Sequence, residues 1–421
     1  MELACRNKII QLIKKGVRIL NPLSVDIGPE VNIDRISGDH VTIYPGCRIY
    51  GKDTIVSSHV RLGEEGVATV DNCRIGSAVA LKSGYFRQSV FLKGASLAMG
   101  AHVREGCLIE EYASTAHCVG LKQTILFPFV TLGSLINFCD CLMAGGTGPK
   151  NHSEVGSSFI HFNFTPEGDK TTASLIGDVP RGVMLNQPPI FLGGQGGLVG
   201  PVRIGFGNVT AAGSILRNDI TESNKLISGK SLKNLILDHK PGRYAGMPRI
   251  LENNIYYAAN LRALEQWYHY VRRPFFKSCE FGEGILEGAL GILKTAGAER
   301  IKRLQAMAHN ISKTASTASL SETDARIRLC ENIQTLSRAM DPPADDAVGE
   351  IDRNRFMNAV QDCLQKKDAD YILSIQGLGS DAVFHGTRWL NAVAWNYCRR
   401  ASATLPELNL FQQWKNHDGA R

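Results

Sequence analysis

An aliphatic residue, or occasionally a threonine in its place, recurs every six positions in the first half of the chain, most clearly at Leu198, Ile204, Thr210 and Leu216. A period of six fits neither an α-helix nor a simple alternating strand. It fits a short strand and a tight corner, repeated three times in each triangular coil. Such coils stack at strand spacing into a solenoid with a narrow continuous core. The repeat therefore predicts a mainly β fold, a parallel β-helix of roughly ten coils over residues 22–229.

A β-sandwich or jelly roll is the alternative fold for this half. Sandwiches show a turn signal every 8–12 residues, with polar and apolar residues alternating between the turns.

Residues 143–191 interrupt the six-residue pattern with many polar, glycine and proline residues. A loop ejected from a solenoid is a common place for ligand-binding groups, so this segment is predicted to be the ligand loop. Residues 1–21 are predicted to form a short amphipathic helical lead-in.

Glycine and tryptophan are divided unevenly along the chain. Thirty of the 42 glycines lie in residues 1–229, whereas all four tryptophans lie in residues 230–421. The second part also has apolar residues at three- and four-residue spacing, which predicts an α-helical bundle domain over residues 230–421. The predicted helices cover residues 251–273, 284–310, 322–340, 353–376 and 382–403. We expect most of the tryptophans in the core of that bundle.

The composition limits the partners of the protein. The formal net charge is +7, and Lys and Arg are scattered, which speaks against nucleic acid as a partner. No run of 18 apolar residues is present, so no membrane span is predicted. The eleven cysteines have neither disulfide-framework nor zinc-ligand spacing, so we expect free thiols, no metal, and a cytoplasmic location.

Three segments resemble a known family. They are residues 16–28 through 44–46, residues 155–164 followed by 175–178, and residues 198–205 through 211–213. All three are similar to the hexapeptide-repeat acyltransferases, above all to the acetyltransferase half of bifunctional N-acetylglucosamine-1-phosphate uridyltransferases/glucosamine-1-phosphate acetyltransferases. The resemblance covers about half of the chain. It implies a left-handed β-helix, acetyl-CoA or another acyl-CoA as co-substrate, a sugar or nucleotide-sugar substrate, and a homotrimer with sites between neighbouring prisms.

The same resemblance implies a set of substrate- and cofactor-binding residues. Asn163 and Phe164 match an Asn-Tyr pair that contacts substrate and acetyl-CoA in the family. Lys170 is near a lysine that binds the sugar phosphate. Ala211 or Ala212 borders the pantetheine arm, and Lys230 is one place past an arginine that meets the cofactor phosphates.

This sequence also departs from the family pattern. Thr131 and Met143 stand where the family has a basic pair that grips the phosphosugar, and Gly194 replaces a serine beside the cofactor. The uridyltransferase domain has no counterpart in these 421 residues. The exact substrate of the family therefore does not transfer to this chain.

Acyl transfer to an amine needs a base, and histidine suits that role because its pKa lies near 7. The histidines of the irregular segment are His152 and His161. Both are candidate catalytic bases, and each has a structural alternative. His152 could serve only in loop hydrogen bonding, and His161 could serve only within its strand. Asp140 is a candidate for orienting a histidine.

The first functional hypothesis is an acyl-CoA-dependent acyltransferase, by preference an N-acetyltransferase, acting on an amino sugar or nucleotide sugar. The alternatives are a non-catalytic sugar-nucleotide-binding or scaffold protein, and a sugar nucleotidyltransferase related to UDP-N-acetylglucosamine pyrophosphorylases. Residues 142–150 are glycine-rich as in a nucleotidyltransferase loop, but a wide solenoid loop explains them as well. Residues 193–197 lack the G-x-G-x-x-G register of a dinucleotide site.

Overall fold

The computed structural model describes residues 3–229, 236, 244, 246–315, 325–341, 347–365 and 370–412. Its first half is a parallel β-solenoid of triangular cross-section. Among the described residues, eleven strands stack along one side of the prism. Successive coils pair in register, so that Ser96 lies beside Ser114 and Phe191 beside Val209, eighteen residues further on. The predicted β-helix followed by a helical domain is confirmed, and the sandwich alternative is wrong.

The chain passes through the three faces of the prism in a fixed order, here numbered 1, 2 and 3. Face 1 consists of the strands Arg18–Ile19, Thr42–Ile43, Arg61–Leu62, Ala80–Leu81, Ser96–Leu97, Ser114–Thr115, Thr131–Leu132, Glu154–Val155, Phe191–Leu192, Val209–Thr210 and Leu226–Ile227. Face 2 consists of Asp26–Ile27, Arg48–Tyr50, Ala68–Asp71, Gly84–Arg87, Ala101–Val103, Ile160–Phe162, Gly197–Val199 and Ile215–Leu216. Face 3 consists of Ile55–Val56, Arg74–Ile75, Val90–Phe91, Leu108–Ile109, Ser174–Ile176 and Arg203–Ile204. The strands Gly120–Leu126 and Asn137–Met143 bend around the corner between faces 2 and 3 and join both.

The corners explain the six-residue period. In a strand such as Arg61–Leu62, the second residue points to the axis and is buried, while the first points outward. The corner between faces 2 and 3 is left-handed at Gly106 (φ 84°), Gln123 (φ 50°) and Asp140 (φ 55°) in successive coils. Gln123 and Asp140 thus occupy corners that the sequence pattern associates with glycine.

Residues 143–191 do not form one loop. Three solenoid strands, Glu154–Val155, Ile160–Phe162 and Ser174–Ile176, run through this segment, and the extra residues are inserted at corners. One insertion holds the antiparallel hairpin Gly146–Gly148 with Asn151–His152, and another holds the short helix Val179–Gly182. The third insertion is the loop of residues 163–173.

Helices make up the second half. They are Met247–Trp267, a π-helical stretch Tyr268–Arg272, Arg273–Lys277, Gly282–Ala315, Ala325–Ala339, Glu350–Leu364, Tyr371–Gln376 and Ser380–Ser402, followed by the 3-10 turn Pro406–Leu408. These segments are called the helical half below. The predicted helix 353–376 is two helices, because Asp370 caps the second one with its carboxylate on the Leu373 amide. Trp267 and Trp389 are buried as predicted, and Trp414 lies outside the described residues.

The helix Leu3–Lys15 and a 3-10 turn, Ile33–Arg35, accompany the first coils. The helix lies across the open end of the solenoid and buries Ile9 and Leu12. Its Lys8 Nζ donates to the carbonyl oxygens of Gly28, Pro29 and Val31 at 2.7–2.9 Å. The predicted amphipathic lead-in is therefore a cap on the first coil.

The helical half covers face 3. Most of the outward residues of this face are apolar and buried, and the exceptions are Arg74 and Arg203; the buried ones are Ile55, Val90, Leu108, Ile125, Leu142 and Leu175. The long helix Gly282–Ala315 lies against them, and a Cβ on Gly288 would stand 3.1 Å from Val90 Cγ2. Arg74 of face 3 also donates to the carbonyl oxygen of Gly284. Within the described part of the chain, no helix is long and apolar enough to cross a membrane.

Candidate functional site

Asn163 lies at the corner between faces 2 and 3, beside two buried charges. Its Nδ2 donates to Asp140 Oδ2 at 2.7 Å, and Arg300 Nη2 donates to Asp140 Oδ1 at 2.7 Å. Arg300 comes from the long helix Gly282–Ala315. A carboxylate only accepts hydrogen bonds, so the amide of Asn163 can have only one orientation. Its Oδ1 makes no hydrogen bond with any described residue and remains available as an acceptor.

The loop of residues 163–173 is held by its own hydrogen bonds, by Tyr244 and by the helical half, from which Asn310 Nδ2 donates to Glu167 O at 3.0 Å. The carboxylate of buried Asp169 accepts from the Thr171 amide and hydroxyl at 2.9 and 2.7 Å, and from Tyr244 Oη at 2.8 Å. Burial raises the pKa of Tyr244, so its hydroxyl stays protonated and donates. The loop is therefore a docking element with a fixed shape.

The other two corner insertions dock in the same way. Each of the three insertions exchanges at least one hydrogen bond with a side chain of the helical half: Gln376 Nε2 donates to Thr147 O at 2.6 Å, Asn254 Nδ2 to Thr171 O at 2.9 Å, and the Val179 amide to Asn260 Oδ1 at 2.8 Å. The segment expected to be a free ligand loop thus supplies three anchors for the second half of the chain.

His161 is inside the prism. Its Nδ1 lies 2.5 Å from Cys139 O, which can only accept, so Nδ1 carries the proton. Its Nε2 then accepts from Ser174 Oγ at 2.7 Å. Burial lowers the pKa of His161 to about 4. A neutral ring with both nitrogens bonded to protein groups has no nitrogen left for a substrate, and this geometry favours the structural alternative.

His152 has the opposite arrangement. It lies on the hairpin at the corner between faces 3 and 1, with about a quarter of its side chain exposed. Its Nδ1 lies 2.8 Å from Pro149 O and therefore donates to it. In the neutral ring Nε2 is then unprotonated, and Glu154 lies 3.7 Å from it. A ring that is oriented through Nδ1, and whose Nε2 makes no hydrogen bond with a described residue, is what a general base requires.

The remaining predicted residues are dispersed. Phe164 is 71 % exposed, and half-buried Lys170 takes a left-handed conformation (φ 57°) beside Asp169. Ala211 and exposed Ala212 lie at the corner between faces 1 and 2, packed on the neighbouring coil. Lys230 lies outside the described residues. The predicted site residues therefore occupy three corners of one prism, and one copy does not bring them together.

Two side-chain contacts were not predicted from the sequence. Arg300 is 160 residues from Asp140, and no local pattern connects them. His117 Nδ1 lies 2.9 Å from Ser134 Oγ at the corner between faces 1 and 2, where the six-residue register would have placed both. Among the described residues, no three His, Cys, Asp or Glu side chains are grouped as a metal site would require.

Sequence comparison finds relatives for the solenoid half. The chain is 27 % identical over 213 residues to the bifunctional protein GlmU of Thermotoga maritima. The aligned region covers 51 % of this chain and 42 % of that protein. It is 24 % identical over 237 residues to GlmU of Nocardia farcinica, or 55 % of this chain and 42 % of that protein. The resemblance to the hexapeptide-repeat acyltransferases is confirmed. The chain spans less than half the length of these relatives, and no protein-family model matches it.

A solved structure with some likeness is a UDP-N-acetylglucosamine acyltransferase from Campylobacter jejuni. It is 17 % identical and covers 51 % of this chain and 70 % of that chain, with a TM-score of 0.19. A TM-score this low supports no argument about function.

Proposed function

We propose that the protein is an acyl-CoA-dependent acyltransferase, in particular an N-acetyltransferase of an amino sugar or nucleotide sugar. The observation that carries the proposal is the orientation of Asn163, the residue that the resemblance matches to a substrate contact. Asp140, itself paired with Arg300, accepts from its amide nitrogen, which leaves Oδ1 as an acceptor for an N–H or O–H of the substrate. The similarity of the solenoid half to GlmU supports the same reaction class.

The reaction needs few groups. The neutral amine of the acceptor attacks the thioester carbon, the new C–N bond forms, and the C–S bond to CoA breaks. His152 Nε2 takes the proton that the amine loses and passes it to the departing CoA thiolate. Positioning by Asn163 lowers the entropic cost of bringing amine and thioester together.

The base and the amide lie at different corners of the prism, so a site that uses both requires a second copy. Face 3 is covered by the helical half, which leaves faces 1 and 2 for contact between copies. Both carry partly exposed apolar side chains near the end of the solenoid: Phe191, Val209 and Leu226 on face 1, and Ile160, Phe162 and Ile215 on face 2. A homotrimer with heterologous contacts between these faces would bring different corners together. Sedimentation equilibrium of the full chain tests the homotrimer.

The reaction is tested by incubating the full chain with acetyl-CoA and a panel of amino sugars and nucleotide sugars, while free thiol is measured. His152→Ala should lower kcat by about 10²–10⁴, as loss of a general base does. Asn163→Ala should lower kcat/KM by about tenfold or more, the value of one lost hydrogen bond. His309→Ala and Asn186→Ala change exposed residues of the same types and should retain activity. No CoA release with any acceptor, together with no CoA binding by calorimetry, contradicts the proposal.

The shared site has its own test. His152→Ala and Asn163→Ala chains are mixed, unfolded and refolded together. If each site takes His152 from one copy and Asn163 from the next, roughly a quarter of the sites in a ring are intact and activity returns to that extent. If both residues act within one copy, mixing restores nothing.

A non-catalytic sugar-binding protein is the second candidate. The burial of neutral His161 and the pairing of Asp140 with Arg300 favour it, because these groups serve the structure. Sugar binding without CoA release identifies this candidate. The nucleotidyltransferase hypothesis lacks a comparable observation, because residues 142–150 end a solenoid strand and begin a hairpin.

A further inference from the structure

A cavity of about 570 Å³ lies between the prism and the helical half, away from Asn163 and His152. The prism contributes the corner between faces 3 and 1, and the helical half contributes the segment around Phe275 and the start of the helix Tyr371–Gln376. The volume is within the ordinary range for small-molecule sites, about 300–1,000 Å³. Its apolar wall includes Leu92, Phe275, Phe276, Ile285 and Tyr371, all of them buried.

Two buried polar atoms of the lining residues have no hydrogen-bond partner among the described residues. They are the hydroxyl of Ser57 and Nε of Arg272, and both residues are only 2 % exposed. Buried polar groups are paired in native proteins, and each unpaired one costs stability. A bound molecule that both accepts and donates hydrogen bonds would satisfy both atoms.

The charges of the cavity are already paired with each other. Arg272 binds Glu111 through two nitrogens, and Lys93 Nζ lies 2.9 Å from Asp370 Oδ2 across the cleft. This pairing raises the pKa of Lys93, and the Lys93 ammonium holds that of Asp370 below its usual range against the effect of burial. Glu280 is exposed at the rim. Within the described part of the chain, the interior therefore offers hydroxyls, from Ser57, Ser58 and Ser77, and no free charge for an ionic ligand.

We propose that this cavity binds a neutral hydroxylated ring, either a sugar or the ribose of a nucleoside. The apolar face of the ring packs on the aromatic wall. One ring hydroxyl pairs with Ser57, and a second oxygen accepts from Arg272 Nε. Because both halves of the chain line the cavity, the ligand also holds the helical half on the prism. The proposal does not depend on acyl transfer.

The test uses the full chain, with N-acetylglucosamine and uridine as separate probes in saturation-transfer NMR. Binding of either probe supports the proposal, and which one binds identifies the source of the ring. Ser57→Ala should weaken binding by about tenfold, as expected for one hydrogen bond. Since that hydroxyl has no partner among the residues that the structure describes, the same substitution should not lower the melting temperature of the free protein.

Ser77→Trp places an indole at the partly exposed wall of the cavity and should abolish binding. Ser96→Trp adds the same ring on uncovered face 1, outside the cavity, and should leave binding intact. Absence of binding by both probes overturns the proposal. Binding that survives Ser77→Trp comes from another place on the molecule, such as the proposed transferase site, and also overturns it. If no CoA is released but the probes still bind in the cavity, the proposed acyl transfer is contradicted and the cavity proposal is not.

Discussion

Face 3 of the prism differs from faces 1 and 2 in one respect. All three faces are built from the same coils, and most of their inward residues are aliphatic. On face 3 the outward residue is mostly apolar and covered by helices, as in Val90–Phe91, whereas on face 1 it is mostly polar or exposed, as in Arg61–Leu62. The inward residue thus sets the fold, and the outward residue sets what each face contacts.

The buried ion pair at the edge of face 3 should give the largest effect when broken. Arg300→Met leaves Asp140 charged and buried without its partner, which costs about 3–5 kcal/mol of unfolding free energy. The measurement is denaturant unfolding. Arg303→Met on the same helix removes only a partly exposed pair with Glu299 and should cost about 0.5 kcal/mol.

The double variant Arg300→Met/Asp140→Asn should recover part of that loss, because the uncompensated charge is gone. Equal costs for Arg300→Met and Arg303→Met would mean that the corner ion pair contributes nothing to holding the two halves together.

Truncation compares the covered and uncovered faces directly. Leu108 is fully buried on face 3, so Leu108→Ala should cost about 2–5 kcal/mol. Ile160 on face 2 is 41 % exposed, and Ile160→Ala should cost less than about 1 kcal/mol in the isolated chain. Similar costs for both would show that face 3 is not covered in solution.

Acidification should change the stability contributions of His161, inside the prism, and Glu110, under the helical half, in opposite directions. His161 has a lowered pKa of about 4, so the unfolded chain binds a proton that the folded chain does not, and stability falls as the pH drops from about 6.5 toward 4. At Glu110, under the helical half, burial raises the pKa to about 7. Its contribution is fully present below about pH 4.5 and is lost as the pH rises through 7. Each contribution is at most about 3 kcal/mol.

The two slopes oppose each other between about pH 4.5 and 6.5 in the unmodified chain. Glu110→Gln keeps the hydrogen bond from Tyr268 and removes the pH dependence that Glu110 contributes. Its melting temperature should therefore fall more steeply on acidification than that of the unmodified chain. Parallel pH profiles would contradict the assignment of these two groups.

Two glycines of the helix Gly282–Ala315 should respond with opposite signs. A Cβ on Gly288 would stand 2.3 Å from Arg74 Cδ, so Gly288→Ala pushes the helix from face 3 and costs about 1 kcal/mol net. A Cβ on Gly291 meets nothing within 4 Å, so Gly291→Ala should gain about 1 kcal/mol from helix propensity. Thermal unfolding distinguishes the two, and a gain at both positions would show a loosely seated helix.

The six-residue period and the change to helical spacing were sufficient to predict the solenoid and the helical half, because both are local patterns. Paired apolar residues such as Ile55–Val56, Leu108–Ile109 and Leu175–Ile176 lie on the covered face, but Phe191–Leu192 and Ile215–Leu216 on the other faces show that this local pattern alone does not identify the covered face. The pairing of Asp140 with Arg300 had no local signal, since tertiary packing alone joins positions so far apart. Alternation placed His161 on a strand but could not show that its ring points into the prism.

The helix Leu3–Lys15 has a further consequence. A solenoid ends in a coil whose backbone groups are open to pairing, and such an edge can accept the end of another solenoid and grow into a fibre. Lys8 occupies three carbonyl oxygens near this end, and the helix covers the apolar core behind them. Head-to-tail addition at the first coil is therefore blocked by the same thirteen residues that begin the fold.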